Sequence, residues 1–244
     1  MILGETCTRR CLFCAISRGN PLPPEESEPE RVAEAVRRLK LTHVVITSVA
    51  RDDLEDGGAS HFAGVIAAIH RELPEVTMEV LTPDFKGDAA SIKKVVQAGP
   101  EIYNHNLETV ERLQKKVRPY ARYERSLDLL RQVKRFSPGI WTKSGLMVGL
   151  GEREEEVLQT LRDLRAAGCE MLTIGQYLQS DKHNLPVSEF VTPRQFHEYE
   201  GKAYELGFTY AFSGPFVRSS YLADHAKIKI TRPRTTMKGK ESPL

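Results

Sequence analysis

The stretch "ETCTRRCLFCA", residues 5–15, contains three of the four cysteines of the chain, Cys7, Cys11 and Cys14. Four-thiolate zinc sites usually come as two separated cysteine pairs, and this sequence has no second pair. Three thiolates suit an iron–sulfur cluster in which one iron keeps an open coordination position, and an open position normally marks a catalytic metal. The spacing therefore predicts a catalytic iron–sulfur cluster on this loop.

Two alternatives remain for these cysteines: a zinc site completed by a histidine, or three structural thiols without a metal. Arg9 and Arg10, between the first two cysteines, would offset the negative charge of a thiolate-bound cluster. The fourth cysteine, Cys169, follows Gly168 at the start of a predicted buried strand, so we expect it to be a core thiol.

The composition is that of an ordinary globular protein, with 244 residues, 40% hydrophobic and 28% charged. A net charge of +2 favours neither a nucleic-acid partner nor a membrane surface. The longest apolar runs are far shorter than the ~20 residues that cross a membrane. Clustered cysteines indicate a reducing compartment, so we expect the cytoplasm, with the mitochondrial matrix or plastid stroma as alternatives.

Short apolar runs alternate with segments of helical periodicity, which favours parallel βαβ units. The predicted strands are "MILG" at the start, 43–48, 76–82, 101–106, 142–150, 170–177 and one near "FTYAFSG". About six repeats suit either an open barrel or a doubly wound sheet.

Two helices are strongly indicated. "EREEEVLQTLRDLRAAG" has glutamates in its first turn, an apolar stripe and Gly168 in the position that follows a helix. A second helix is predicted over Pro193–Leu206. Residues 227–244 are basic and unpatterned, so they are expected to form a mobile tail after a domain of residues 1–226.

The cysteine triad resembles the signature of radical S-adenosylmethionine (SAM) enzymes, and two other motifs support the resemblance. Asn106 and Glu108 in "YNHNLET" resemble the ribose-binding pair, and "GLMVGLGE" (145–152) resembles a motif in which Gly149 lets the backbone approach adenine. By themselves, the first motif could be a turn before a helix and the second a strand-to-helix turn with a capping glutamate.

The resemblance implies a partial, open-sided (β/α)6 barrel, a [4Fe–4S] cluster and SAM. In the superfamily the open iron binds SAM, and an electron from the cluster then generates a 5′-deoxyadenosyl radical. That radical abstracts hydrogen from an unreactive carbon, and the protein positions the reacting groups.

The match narrows to the lipoyl synthase family, which the chain resembles across residues 2–224. The matching strings are "ILGETCTRRCLFC", "VVITSVARDDLEDGGASHF", "LTPDFKGD", "YNHNLETV", "KSGLMVGLGE", "MLTIGQYLQ" and "GPFVRSSY". The resemblance implies insertion of sulfur at C6 and C8 of an octanoyl group on a lipoyl carrier, such as a glycine cleavage H protein or a dehydrogenase E2 domain. It also implies an electron donor such as ferredoxin or flavodoxin.

The acidic loop "VARDDLEDGG" (49–58) is where the resemblance places the amino end of SAM. We expect Asp56, Gly57 and Gly58 to contact SAM, although the loop's other carboxylates are equally suited to bind an ammonium group. A solvated acidic turn is the alternative.

The family also has a second, auxiliary [4Fe–4S] cluster, which donates the sulfurs and takes one serine oxygen as a ligand. The resemblance assigns that ligand to Ser220 in "RSSY", although the residues alone would predict a turn or helix cap. The family's three auxiliary cysteines precede the first triad, and the chain as given has no cysteine before Cys7.

Ser220 is thus left without its expected co-ligands, so we expect SAM cleavage without lipoyl formation from this sequence by itself. A truncated sequence, a segment supplied by another chain, or a paralogue with another role would explain the difference. The alternative functions are a SAM-cleaving paralogue, a non-lipoylating cluster-binding protein and biotin-synthase-like sulfur insertion.

Overall fold

The computed structural model describes residues 1–220. The predicted tail at 227–244 and the predicted domain end at residue 226 lie outside the described residues. Within them the strands are β1 (Thr6–Cys7), β2 (Ser17–Arg18), β3 (His43–Thr47), β4 (Thr77–Leu81), β5 (Ile102–Asn104), β6 (Trp141–Val148), β7 (Met171–Gln176) and β8 (Tyr210–Gly214). The helices are α1 (Glu28–Arg38), α2 (Ala59–Glu72), α3 (Ala89–Gln97), α4 (Glu111–Val117), α5 (Tyr123–Phe136), α6 (Glu154–Ala166) and α7 (Pro193–Glu205).

Strands β3 to β8 form one parallel sheet in which the spatial order follows the sequence order. Helices α2 to α7 fall between successive strands, as parallel connections require. Within residues 1–220 the outer strands β3 and β8 do not pair with each other, so the sheet is open on one side. The predicted α/β fold with an open, six-stranded parallel sheet is confirmed.

The opening "MILG" is not a strand, contrary to the prediction. Ile2 forms a single parallel bridge with Ser48, just after β3, and no longer ladder. Leu3 and Gly4 then adopt φ angles of 67° and 87°, which end the extended backbone. The sixth strand is instead β8, within "FTYAFSG", and Asn106 follows the third strand of the sheet rather than the fourth.

Helix α6 forms where the sequence predicts it, for the predicted reasons. Three glutamates occupy its first turn, and Gly168 follows the helix with φ of 84°. Its apolar stripe of Val157, Leu161 and Leu164 is buried against the sheet layer of the core. Helix α7 begins at Pro193 as predicted, with the Thr192 hydroxyl accepting a hydrogen bond from the Gln195 amide.

One apolar core lies between the sheet and its helices, and Cys169 belongs to it. The Cys169 side chain is fully buried, and burial raises the pKa of its thiol to about 12, so the prediction of a core thiol is confirmed. Among the described residues, no helix has the length and apolar character needed to cross a membrane.

Candidate functional site

A cavity of about 460 Å³ lies at the carboxyl end of the sheet. Parallel α/β proteins commonly bind their ligands at this edge. The cavity brings together five stretches of the sequence: the cysteine loop, the loop after β5, strand β6, strand β7 with the residues that follow it, and the segment after β8. Its polar and small lining residues include Cys14, Asn106, Glu108, Gly145, Arg218 and Ser219.

The cysteine loop crosses the ends of several elements. The Thr8 amide donates to the Ala50 carbonyl, just beyond β3, over 3.1 Å. The Leu12 amide donates to the carbonyl of Val117, at the end of α4, over 2.8 Å. Cys7, Cys11 and Cys14 are half-buried, and burial raises the pKa of the second and third thiols.

Within residues 1–220, no three side chains of His, Cys, Asp or Glu are grouped as ligands of a single metal ion. A [4Fe–4S] cluster takes each cysteine on a different iron, so its thiolates do not converge on one point. Three half-buried thiols on one loop fit that donor set better than they fit zinc, whose ligands surround one ion. The assignment of Cys7, Cys11 and Cys14 as cluster ligands stays a prediction.

Arg9 anchors the cysteine loop to its surroundings. Its Nε and Nη2 donate to the Asp52 carboxylate over 2.7 and 2.8 Å, and Nη2 also pairs with buried Asp84. Arg125 of α5 adds a contact to Asp84 at 3.2 Å. Although burial opposes ionisation, the charge of Arg9 lowers the pKa of Asp84 to about 2. Arg9 therefore forms ion pairs with two carboxylates, whereas Arg10 is exposed.

Asn106 and Glu108 line the cavity side by side, as the motif predicts. The Asn106 Nδ2 donates to the Glu108 carboxylate over 3.1 Å, while its buried Oδ1 has no hydrogen-bond partner in the described part of the chain. Such an orphaned acceptor is rare in a buried site. It fits a ligand that brings a hydroxyl donor, as a ribose does.

The backbone at Glu108 is held in an unusual conformation. Its φ is 67°, and hydrogen bonds to the Gly145 carbonyl and from the Met147 amide tie it to strand β6. Burial raises the pKa of the Glu108 carboxyl, and the nearby charge of Arg118 opposes that shift. A side chain at Gly145 would approach the Asn106 Oδ1 to 2.7 Å, so this glycine keeps the pocket open.

Gly149 does not line the cavity, and its expected contact with adenine stays a prediction. Its φ is 96°, and a side chain there would collide with the Gln176 amide and the Glu189 carbonyl. Its glycine requirement thus comes from packing against the protein itself. The glycine of the same motif that faces the cavity is Gly145, four residues earlier.

Asp56, Gly57 and Gly58 do not line the cavity, and their expected contact with SAM stays a prediction. The Asp56 carboxylate accepts hydrogen bonds from the amides of Gly58 and Ser60, over 3.0 and 2.7 Å, at the start of α2. It also contacts Lys94 at 3.0 Å. Despite partial burial, these hydrogen bonds and the lysine lower the pKa of Asp56 to about 2. The loop's carboxylate that reaches the cysteine loop is that of Asp52.

The "RSSY" segment meets the cavity through its arginine, Arg218, and its first serine. Ser219 lines the cavity and accepts a hydrogen bond from the Asn106 Nδ2 over 2.7 Å. Ser220, the serine assigned from the resemblance, is exposed. Its expected cluster role stays a prediction.

Sequence reasoning missed one cation of the site and left a second without an assigned role. Arg118 is buried and donates to the carbonyls of Asn106 and Leu107, both over 3.0 Å. Its charge favours the thiolate of Cys11. In the sequence it follows "KKV" at a helix end, where cations are usually solvated. The second is Lys143, which pairs with Glu79 beneath the cavity.

A sequence model of the Radical SAM superfamily matches residues 1–164. The lipoyl synthase of Caldanaerobacter subterraneus subsp. tengcongensis is 58% identical over 224 residues, covering 92% of this chain and 78% of that protein. The lipoyl synthase of Thermus thermophilus is 54% identical and covers 95% of this chain and 72% of that protein.

Solved structures show the same fold at low identity. Streptococcus suis SuiB bound to S-adenosylmethionine gives a TM-score of 0.68 at 11% identity, covering 87% of this chain and 48% of that one. Methylornithine synthase (PylB) gives 0.64 at 14% identity, covering 87% of this chain and 70% of that one. The fold, the cavity with its cysteine loop, and the close relatives agree: the chain belongs to the lipoyl synthase family of the radical SAM superfamily.

Proposed function

We propose that the protein is a lipoyl synthase, which inserts two sulfur atoms into a protein-bound octanoyl group at C6 and C8. In the overall change, two carbon–sulfur bonds replace two carbon–hydrogen bonds. The observation that carries the proposal is the meeting of Cys14, the Asn106–Glu108 pair and Ser219 around one cavity. Family membership supplies the reaction, and this cavity supplies a place for it.

Cys7, Cys11 and Cys14 would hold the [4Fe–4S] cluster, and Asn106 with Glu108 would hold the ribose of SAM. When bound, the cluster and SAM supply the one-electron chemistry that removes hydrogen from an unreactive carbon. The chain's own contribution is to orient the cofactor. Asn106 offers its unpartnered Oδ1, and the strained backbone of Glu108 fixes its carboxylate beside it.

The remaining cavity walls are largely apolar and limit water around the reacting groups. They include Phe13, Leu146, Met147, Tyr177 and Val217. A dry site protects reactive species from side reactions with solvent. The Tyr177 hydroxyl already has a protein partner, because it donates to the Leu185 carbonyl over 2.6 Å.

The sulfur source we propose is an auxiliary [4Fe–4S] cluster that takes a serine ligand from residues 218–220. The substrate is an octanoylated carrier, such as an H protein or an E2 domain. The proposed compartment is the cytoplasm, since thiolate ligands need reducing conditions.

An acidic flavodoxin or ferredoxin is the electron donor that we propose. Four exposed cations lie on the cysteine segment or on α4, whose last residue contacts it, and are here called the basic collar: Arg10, Arg18, Lys115 and Lys116. Arg18 lies against the loop, with its Nη2 3.4 Å from the Cys11 carbonyl. Opposite charges steer the encounter of two proteins and raise its rate.

Anaerobic reconstitution followed by addition of SAM and dithionite tests the proposed chemistry. We expect about four irons per chain from the cysteine triad, and formation of 5′-deoxyadenosine. The C14A variant is the matched control and should lose both. Zinc in place of iron, or equal 5′-deoxyadenosine from C14A, would contradict the proposal.

Sulfur insertion is a separate measurement on an octanoylated H protein. When the auxiliary cluster is also in place, mass spectrometry of the carrier should show the gain of two sulfurs in place of two hydrogens. SAM cleavage uses the cluster that the cysteine triad would hold, so the two assays are interpreted separately. A carrier modified with sulfur at positions other than C6 and C8 would overturn the assigned reaction.

A further inference from the structure

We propose that Lys143 is a positioning residue that holds residues 218–220 over the cavity. Lys143 lies on β6, opposite Asn104 of β5 and two residues before Gly145. It is 1% exposed and does not line the cavity. The positioning role stands on the contacts alone. Only its consequence, the shape of the cofactor site, rests on the proposed function.

The Lys143 ammonium uses all three of its protons. Its Nζ lies 2.9 and 3.0 Å from the two oxygens of Glu79. The third contact is 2.6 Å long and goes to the backbone carbonyl of Ser219, 76 residues further along the chain. An ammonium has three donors, so this set leaves none unsatisfied.

The Glu79 carboxylate is itself fixed. Asn104 of β5 donates to its Oε1 over 2.8 Å, and the Glu79 side chain is fully buried on β4. The carboxylate therefore cannot turn to follow a moving lysine. Three neighbouring strands, β4, β5 and β6, thus fix the ammonium in one place beneath Ser219.

Stability alone does not account for this buried pair. Replacing a buried ion pair with apolar residues is often neutral or stabilising, because burial of two charges costs as much as their attraction returns. What an apolar pair cannot supply is a donor for the Ser219 carbonyl. The distinctive effect of Lys143 is therefore on the position of the segment after β8.

That segment forms a wall of the cofactor cavity. Arg218 and Ser219 line it, and the Ser219 hydroxyl accepts a hydrogen bond from Asn106. Ser219 is thus held twice, through its carbonyl by Lys143 and through its hydroxyl by the predicted ribose-binding residue. Releasing the carbonyl would move both the cavity wall and a partner of Asn106.

Hydrogen exchange of residues 215–220 in the protein without cofactors tests the inference directly. The K143M variant should exchange roughly tenfold faster there, since a lost charge-assisted hydrogen bond is worth about that factor. SAM should bind roughly tenfold more weakly to the reconstituted variant for the same reason. The double variant E79Q/K143M should show both effects without leaving an unpaired buried charge.

K134M is the matched control. Lys134 also pairs with a glutamate, Glu170, and its Nζ donates to the Ile140 carbonyl over 2.8 Å, but it lies at the amino end of the sheet. The positioning role of Lys143 would be contradicted if residues 215–220 also exchanged faster in K134M. It would be contradicted equally if their exchange were unchanged in E79Q/K143M. If the unmodified protein does not cleave SAM, the proposed function is contradicted. The hydrogen-exchange test of Lys143 remains valid in that case.

Discussion

At the scale of single residues, Arg9 and Arg10 show how similar neighbours take different roles. Both are arginines between two cysteines of the triad, and nothing in the sequence separates them. The structure buries Arg9 between Asp52 and Asp84 and exposes Arg10. Arg9 therefore belongs to the framework of the cysteine loop, and Arg10 belongs to the basic collar.

We expect R9A to lower the free energy of unfolding by about 3 kcal/mol, because buried Asp84 keeps only the longer ion pair with Arg125 and half-buried Asp52 loses its ion pair. The cysteine loop should then lose its anchor, so the variant should also bind less iron on reconstitution. R10A should change the free energy of unfolding by less than about 0.5 kcal/mol, as an exposed residue. Urea unfolding and iron analysis measure both effects, and equal losses in the two variants would contradict the anchoring role.

The sequence predicts the polar cavity residues better than it predicts the glycines and acids around them. Asn106 and Glu108 carry a motif whose residue types match their chemistry. Gly149 and Asp56 belong to motifs in which a structural need, close packing or a helix cap, demands the same residue. Only the three-dimensional contacts separate those two causes.

At the scale of elements, α4 contacts the cysteine loop at its last residue and presents two exposed lysines beside that contact. Its last residue, Val117, accepts the hydrogen bond from Leu12, and the preceding Lys115 and Lys116 are exposed. This seven-residue helix has too few residues for a clear period, so the sequence does not predict it. Longer helices such as α6 and α7 are predicted because charge, capping and periodicity agree.

Reversal of charge on α4 tests the docking of the electron donor. The K115E/K116E variant should be reduced by flavodoxin roughly tenfold more slowly at low salt, because steering between opposite charges is lost. The difference should shrink as salt rises. Stopped-flow reduction is the measurement, with dithionite as the reference reductant. R194E/K202E on α7, which also reverses two exposed charges, is the control, and an equal slowing there would point to net charge rather than to the collar.

At the scale of the whole molecule, a buried histidine links stability to pH. His105 follows β5, with its ring nitrogens 2.9 Å from the Thr82 carbonyl and 3.0 Å from the Ser126 hydroxyl. Burial, aided by the charge of Arg118, lowers the pKa of His105 to about 4. The imidazole is therefore neutral in the folded protein at neutral pH.

The sign of the effect follows from proton binding. Between the ordinary histidine pKa of about 6.5 and the folded value, the unfolded chain takes up a proton that the folded protein does not. The free energy of unfolding should therefore fall by about 2 kcal/mol between pH 7 and pH 5. Urea unfolding at both pH values measures it. H183A, at an exposed histidine, should keep this fall, whereas H105N should lose most of it; the reverse pattern would contradict the assignment.

The architecture itself was predictable, since six strands alternate with helices and parallel strands need such crossovers. The first strand was misplaced because "MILG" has the residue types of a strand, while its backbone turns at Leu3. Residue types indicate only the propensity to form a strand. The turn at Leu3 depends on a tertiary contact, the bridge between Ile2 and Ser48 at the end of β3.

The open side of the sheet has a consequence for how a bulky substrate is handled. A closed barrel admits only what can pass through its mouth, and an acyl chain tethered to a folded protein has one end that cannot enter. Strands β3 and β8 do not pair with each other among the described residues, and the cavity wall at Val217–Ser219 lies shortly after β8. We therefore expect a tethered chain to enter from this open side while its carrier stays outside, and the modified chain to leave by the same side.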